Sequence, residues 1–286
     1  MHTYLDCYAC FVRQALSAAR NAGAEDDEQR MVVVDTLALL QTVPPESNPA
    51  QIAHAVHRVV RSRLGNRDPY AEAKAASTRA ALALYPGLRD LVAQSADPLD
   101  AAVRVSIAGN VIDLGAYDDV PDLQASVDRA VRAPLAIDDM AALRAALTTA
   151  DHVLFLADNA GETVFDRVLV ERLPVPVRYV VKAGAVLNDA TRADAHAAGL
   201  HACATVEDNG SDAPGTVLDA CSAGFRDAFT RAPLVIAKGQ AHYETLSDAG
   251  PKVFCMLQVK CPVIASDIGA PVGSAVVRQS TLSPEH

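Results

Sequence analysis

The chain changes rhythm near its middle. Up to about residue 110 the apolar positions recur every three or four residues, the period of helices with one buried stripe. Tyr8, Val12, Ala15, Leu16 and Ala19 make one stripe, and Met31 to Leu40 makes a second that stops at Pro44-Pro45. Asn48-Pro49 reads as an N-cap with a first-turn proline, Ile52, Val56, Val59 and Val60 as its inner face, and Gly65 as its stop. A polar loop to Tyr70 then leads to a helix over 71–85. Asp97-Pro98 opens the next, which runs into Ser106-Ile107-Ala108-Gly109-Asn110-Val111-Ile112-Asp113.

From about Ala133 short apolar runs alternate with amphipathic ones. The pattern predicts helix 139–149 before strand 152–157, and helix 162–172 before strand 176–182. Helix 190–198 precedes strand 201–206, helix 215–230 precedes strand 233–237, and a short helix near 241–248 precedes strand 252–258. Residues 262–265 read as one more strand. Such alternation implies right-handed crossovers and a mostly parallel sheet with helices on both faces. The expected architecture is an α/β/α domain over 121–286 behind an all-helical N-terminal domain over 1–120.

In an open parallel sheet ligands gather beyond the carboxyl ends of the strands. Three strand tips here are polar: Asp158-Asn159 after 152–157, Asn188-Asp189 beyond Lys182, and Lys238-Gly239-Gln240 after 233–237. Either aspartate alone reads equally well as the cap of the helix that follows. Both at two tips of one sheet point instead to oxygen ligands for a hard or borderline divalent cation, with Asp158, Asn159 and Asp189 as the set. Lys182 and Lys238 close apolar strands, so each is expected to face an anion in the crevice. Gly239 lets backbone approach a ligand, and Gly210-Ser211 and Gly215-Thr216 offer further donors. Glu162 and Asp166, four apart on the next helix, are candidates to orient water or a substrate hydroxyl, although Asp166 reads equally well as a surface residue. Asn110 and Asp113 could close the pocket from the helical side.

Composition narrows the class. The 286 residues are 50% hydrophobic with no apolar run as long as a membrane span, and the start lacks the basic and apolar regions of a signal peptide. A cytoplasmic globular protein is expected. A net charge of −10 argues against nucleic acid as a partner. It leaves room for a small anionic substrate, because a metal and a lysine can reverse the local potential. Neither a Gly-x4-Gly-Lys-Ser/Thr loop nor a Gly-x-Gly-x-x-Gly turn is present. Of six cysteines, Cys7 and Cys10 form a Cys-x-x-Cys pair at the start of a helical stripe. A structural pair, a redox motif, and a four-thiolate zinc site completed by Cys255 and Cys261 are the readings it allows. His54 and His57 read as surface or core residues.

Asp158-Asn159-Ala160-Gly161-Glu162, Lys182 with Asn188-Asp189-Ala190-Thr191, Gly210 to Thr216, and Lys238-Gly239-Gln240-Ala241-His242-Tyr243-Glu244 together resemble the damage-control phosphatase family, catalogued as domain of unknown function eighty-nine. Cys7-Tyr8-Ala9-Cys10 to Leu16 resembles the opening of its microbial stand-alone branch. The resemblance implies a helical domain on a Rossmann-like α/β/α domain. It also implies hydrolysis of phosphate monoesters of small metabolites, such as sugar phosphates or phosphopantetheine-type compounds, with Mn, Co, Ni or Mg as cofactor. It assigns Asp158, Asn159 and Asp189 to the metal and Lys238 to the phosphate. One departure is Ala241-His242, where the family usually has Gly-Asn. An S-adenosylmethionine-dependent carboxyl methyltransferase and a non-catalytic metal- or metabolite-binding module are the alternatives.

Overall fold

The protein is described by a computed structural model covering residues 1–65, 68–110 and 123–282. Five helices come first: α1 (Leu5–Asn21), α2 (Asp26–Leu40), α3 (Pro49–Leu64), α4 (Ala71–Gln94) and α5 (Pro98–Gly109). After α6 (Leu123–Arg132) strands and helices alternate: β1 (Leu135–Asp138), α7 (Met140–Thr149), β2 (Val153–Leu156), α8 (Glu162–Val170), β3 (Val177–Val181), α9 (Arg192–Ala197) and β4 (Thr205–Asp208). The chain ends with α10 (Ala223–Arg231), β5 (Val235–Lys238), α11 (Gln240–Leu246), β6 (Val253–Gln258), α12 (Pro262–Ile268) and β7 (Ala275–Gln279). Among the described residues no helix is long and apolar enough to cross a membrane.

Local chemistry explains the best-read boundaries. At α3 the Asn48 side chain accepts from Gln51 N and the Gln51 side chain accepts from Asn48 N, so two orphan amides of the first turn are satisfied. Pro49 occupies N1 and Gly65 ends the helix in the left-handed conformation. The helix predicted to end at Tyr85 instead runs through Pro86 to Gln94. Tertiary packing of Leu88 and Val92 in the core outweighs the amide that Pro86 lacks. The α2 stripe is broader than its contacts: Val32 and Thr36 are buried, whereas Met31, Val34 and Leu37 are exposed.

Phe11, Ala15, Val32, Ile52, Val56 and Val60 form a small core between α1, α2 and α3. Helices α4 and α5 belong instead to the main core: Leu88, Val92, Val103 and Ile107 pack with Phe155, Phe165 and Tyr179 on one face of the sheet. The other face carries Leu154 and Leu156 of β2 against Phe225, Phe229 and Leu246. Alternate β2 residues thus feed opposite cores, as a central strand covered on both sides requires.

The seven strands run in the order β1-β7-β6-β5-β2-β3-β4. Strands β2 to β6 pair in parallel, whereas β7 is antiparallel to β6 and parallel to β1. The chain builds outward from β2 through β3 and β4, then returns to place β5 on the other side of β2. That reversal opens a crevice beyond the tips of β2 and β5.

Other expectations are corrected. Residues 262–265 are helical, because Cys261 caps α12 and Pro262 takes its N1 position. The fourth strand lies at 205–208 behind a 3-10 turn at 200–202. Residues 215–222 precede rather than form α10. Strands β1 and β7, unread in the sequence, extend the sheet. Asp113 lies outside the described residues.

Candidate active site

The tips of β2 and β3 are laced together by backbone. Ala190 N donates to Asp158 O at 2.8 Å and Ala160 N donates to Asn188 O at 2.9 Å, forming an isolated antiparallel bridge between Asn159 and Asp189. The two acidic tips, about thirty residues apart in sequence, are therefore fixed side by side. The turn before Asn188 includes Leu187 at φ 48°, left-handed for a residue with a Cβ. Such strain persists where surrounding contacts over-determine the backbone.

Across the crevice, β5 ends in Lys238 and Gly239 follows it. A Cβ on Gly239, which sits at φ 81°, would lie 1.9 Å from Asp158 Oδ2. Only glycine lets the β5 tip come this close to the carboxylate.

Two amides converge on two acids. Asn110 Nδ2 donates to Asp158 Oδ2 at 2.6 Å and to Glu162 Oε2 at 2.7 Å. Asn159 Nδ2 donates to the same two oxygens at 2.9 and 3.0 Å. The Asn110 Oδ1 and Asp189 Oδ2 atoms are buried with no hydrogen-bond partner. Burial, reinforced by the charges of Glu162 and Asp189, pushes the Asp158 carboxyl up to about 8. Burial likewise lifts Asp189 to about 6, against the pull of Lys182.

Beneath this layer, Lys238 Nζ lies 2.5 Å from Glu162 Oε1, 2.7 Å from Asp166 Oδ1 and 3.1 Å from Ser106 O. Asp166 also accepts from Ser106 Oγ and from the Tyr179 hydroxyl, both at 2.7 Å. Lys238, expected to face an anion in the crevice, is fully buried with its three N–H groups spent on protein oxygens, two of them carboxylates. Lys182 is likewise buried, donating to Gly215 O with Asp189 Oδ2 at 3.6 Å. Asp166, far from the surface, is wholly enclosed. Glu162 and Asp166, four apart on α8, both face this lysine on the neighbouring strand.

The loop carrying Gly215 is held by α3: Arg61 and His54 both bond Asp212, the latter at 2.8 Å, and Arg61 also donates to Ala185 O at 3.3 Å. His57 is buried. Ser211 Oγ accepts from Ala213 N and Thr216 N donates to the Thr245 hydroxyl, which braces this loop. His242 is buried with Nδ1 2.6 Å from Lys238 O, so the Ala241-His242 departure exposes only Ala241 to the site.

Two cavities open onto the acidic tips. One of about 400 Å³, lined by α1, α4 and the start of α8, exposes Ser17, Asn21, Tyr70, Lys74, Ser77 and Asn188. The other, of about 380 Å³, reaches Asp158 and Asp189 between α1, α3, α11 and α12. Cys7, Cys10 and Cys261 line the second, so the Cys-x-x-Cys pair stands nearer the strand tips than its sequence position suggests. Cys255 is buried within β6, and among the described residues no group of three or more His, Cys, Asp or Glu side chains is assembled around a metal position. The four-thiolate site is not formed. Lys74 and Lys260, both unread in the sequence, are the lysines on the cavity walls. Neither closes a strand, so no strand-tip pattern marks them.

Comparison with known proteins agrees along the whole chain. The damage-control phosphatase ARMT1-like domain matches residues 3–276. An uncharacterised protein of Methanocaldococcus jannaschii is 34% identical over 284 residues, 95% of this chain and 93% of its own. The damage-control phosphatase PH1575 of Pyrococcus horikoshii is 30% identical over 96% of this chain and 97% of its own. A damage-control phosphatase of Archaeoglobus fulgidus is 32% identical over 95% and 97%. The crystal structure of the Pyrococcus horikoshii DUF89 family protein superposes with a TM-score of 0.89 at 29% identity, covering 98% of this chain and 100% of that one. The chain belongs to the damage-control phosphatase ARMT1-like family.

Proposed function

We propose that this chain is a divalent-metal-dependent phosphatase of small hydroxylated metabolites, with Asp158, Asn159 and Asp189 holding the ion. The observation that carries the reading is the charge of the crevice. Asp158, Glu162, Asp166 and Asp189 are buried there beside two buried lysines, Lys182 and Lys238; the third buried lysine among the described residues, Lys74, lies between Asp68 and Asp194. Fully ionised, the four would leave two negative charges in a site that water does not screen; burial raises Asp158 and Asp189 in answer, and a divalent cation would replace their protons.

The donor chemistry fits. All candidate ligands are oxygens, which suits Mg, Mn, Co or Ni in preference to a thiolate-type zinc site. The amide nitrogens of Asn110 and Asn159 occupy the place of positive charge between Asp158 and Glu162. Rotation of an amide about its Cβ–Cγ bond exchanges nitrogen for oxygen with little change of shape, so Asn159 presents a ligand oxygen when a cation is bound. Such an ion, held by Asp158, Asn159 and Asp189, would supply charge to neutralise and polarise the phosphoryl oxygens of a monoester.

The chain's own residues fix that arrangement. The Ala190–Asp158 and Ala160–Asn188 backbone bonds set the spacing of the two aspartates, and Gly239 leaves room beside Asp158. Lys238 acts from below: its ammonium ties Glu162 and Asp166 together and so keeps Glu162 turned toward Asn110 and Asn159. The walls formed by Ser17, Asn21, Tyr70, Ser77 and Asn188 offer hydroxyls and amides beside the apolar surface of Ala73, Ala160 and Leu187. Those hydroxyls and amides suit a sugar- or polyol-type phosphate. A methyltransferase reading has no glycine-rich turn after β2 to rest on.

The test is phosphate release from a panel of phosphometabolites by protein stripped of metal and reloaded with Mn, Co, Ni or Mg. Metal-dependent turnover of hydroxylated monoesters is expected. A folded, metal-loaded protein that releases phosphate from no member of the panel would refute the reading.

A further inference from the structure

Three of the six cysteines come together on the wall of the second cavity. Cys7 and Cys10 reach it from α1, and Cys261 from the cap of α12. All three are half-buried free thiols. Cys221 and Cys255 are buried, and Cys203 packs against the main core.

The start of α1 is docked on α12. The Tyr4 hydroxyl, at the N-cap of α1, donates to Asp267 Oδ1 of α12 at 3.1 Å, and the Tyr243 hydroxyl of α11 donates to Asp267 Oδ2 at 2.9 Å. Gln240 Nε2 reaches Glu244 Oε1 at 3.4 Å and Cys261 Sγ at 3.6 Å, and Ile264 N donates to the same sulfur at 3.5 Å. Burial raises the Cys7 thiol, and Glu244, Cys261 and Cys10 reinforce the shift, so Cys7 lies within electrostatic reach of both other thiols. Residues three apart on a helix hold their Cβ atoms about 5–6 Å apart, wider than the ~3.5–4.5 Å of a relaxed disulfide. A Cys7–Cys10 bond therefore strains α1 and is readily reduced. A bond from Cys7 to Cys261 joins two elements that are already docked, with no strain inside either helix.

We propose that the second cavity is a thiol–disulfide site, in which a peroxide joins Cys7 to Cys261 and Cys10 is the thiol that reopens the bond. Hydrogen peroxide oxidises the Cys261 sulfur to a sulfenic acid and releases one water. The Cys7 sulfur then displaces that hydroxyl, forming the S–S bond and a second water. Two electrons pass from the two sulfurs to the peroxide, and both thiol protons leave in the waters. In the reverse direction Cys10 attacks the Cys7 sulfur as a thiolate, the bond to Cys261 breaks, and Cys261 takes up the proton that Cys10 gave away. Two equivalents of a small-molecule thiol reduce the strained Cys7–Cys10 bond, restore both cysteines and leave as their own disulfide. Because the cavity reaches Asp158 and Asp189, the Cys7–Cys261 bond stands on the approach to both carboxylates.

The experiment treats folded wild type, Cys10→Ser and Cys261→Ser with hydrogen peroxide, blocks the remaining thiols by alkylation, and maps disulfides by peptide mass spectrometry without reduction. Wild type tests the site with no substitution: every disulfide found is expected to contain Cys7. Cys10→Ser should accumulate the Cys7–Cys261 bond and run faster than its reduced form on a denaturing gel, because that bond closes a loop of most of the chain. Cys261→Ser should give the Cys7–Cys10 bond with unchanged migration. In reduced glutathione the oxidised Cys10→Ser protein should regain its thiols about tenfold or more slowly than oxidised wild type, since the resolving thiol is gone. Wild-type disulfides that lack Cys7, or a Cys7–Cys261 bond that forms only in urea-unfolded protein, would overturn the site. Equal reduction rates for wild type and Cys10→Ser would overturn the role of Cys10.

Discussion

Lys238 and Glu162 form an ion pair of 2.5 Å in which neither side chain reaches solvent. With Asp166 on the same ammonium, the lysine at the β5 tip is a structural cation set under the site. Lys238→Met removes the charge while filling most of the space. Two buried carboxylates then lose their partner, and a loss of roughly 3–5 kcal/mol is expected, the usual cost of breaking a buried pair from one side. Thermal or urea unfolding of the metal-free variant measures it. A wild-type melting curve would instead mean that Lys238 is free to serve the substrate.

Gly239→Ala should spare the fold and spoil the site. The added Cβ would meet Asp158 Oδ2 at 1.9 Å, and φ 81° is costly for alanine, so the carboxylate or the β5 tip must move. A loss of divalent-metal affinity of about tenfold or more is expected, on the scale set by disturbing the support of a ligand. Calorimetric titration with Mn reads it, and an unchanged dissociation constant would remove Gly239 from the account.

The raised carboxyls make stability depend on pH in a specific direction. Asp158 at about 8 and Asp189 at about 6 hold protons that an unfolded aspartate, near ~3.9, has released. Their contribution to stability is complete below ~4 and is lost as pH rises through ~6 and then ~8. Metal-free protein should therefore lose more melting temperature between about pH 5 and about pH 8.5 than an Asp158→Asn variant does. Added Mn should raise the melting temperature more at the alkaline end, where the ligands are already ionised. Parallel curves for wild type and variant would show that Asp158 is not the group that titrates.

Much of this site is written in local sequence. The β2, β3 and β5 runs are short, apolar and end in polar residues, which is how buried central strands look, so Asp158, Asn159, Asp189 and Gly239 could be placed at tips before any coordinates. The edge strands could not. Leu135–Asp138 alternates in burial over only four residues, and Ala275–Gln279 is partly polar and antiparallel to its β6 neighbour, so neither carries the signature of a covered parallel strand. Pro262-Val263-Ile264-Ala265 looked like a strand by β-branching, but a cap followed by a first-turn proline decided for helix. The role of Lys238 depends on two α8 carboxylates more than seventy residues away. Pairings of that range leave no periodic trace.

The central claim, that the tips of β2 and β3 together hold a divalent ion, is tested most directly by titrating Mn into metal-free wild type, Asp158→Asn and Asp189→Asn in a calorimeter. One ion per chain is expected in wild type, with proton release below ~8, and a loss of affinity of about a hundredfold or more in each variant while both stay folded. Retention of wild-type affinity by both folded variants would contradict the account.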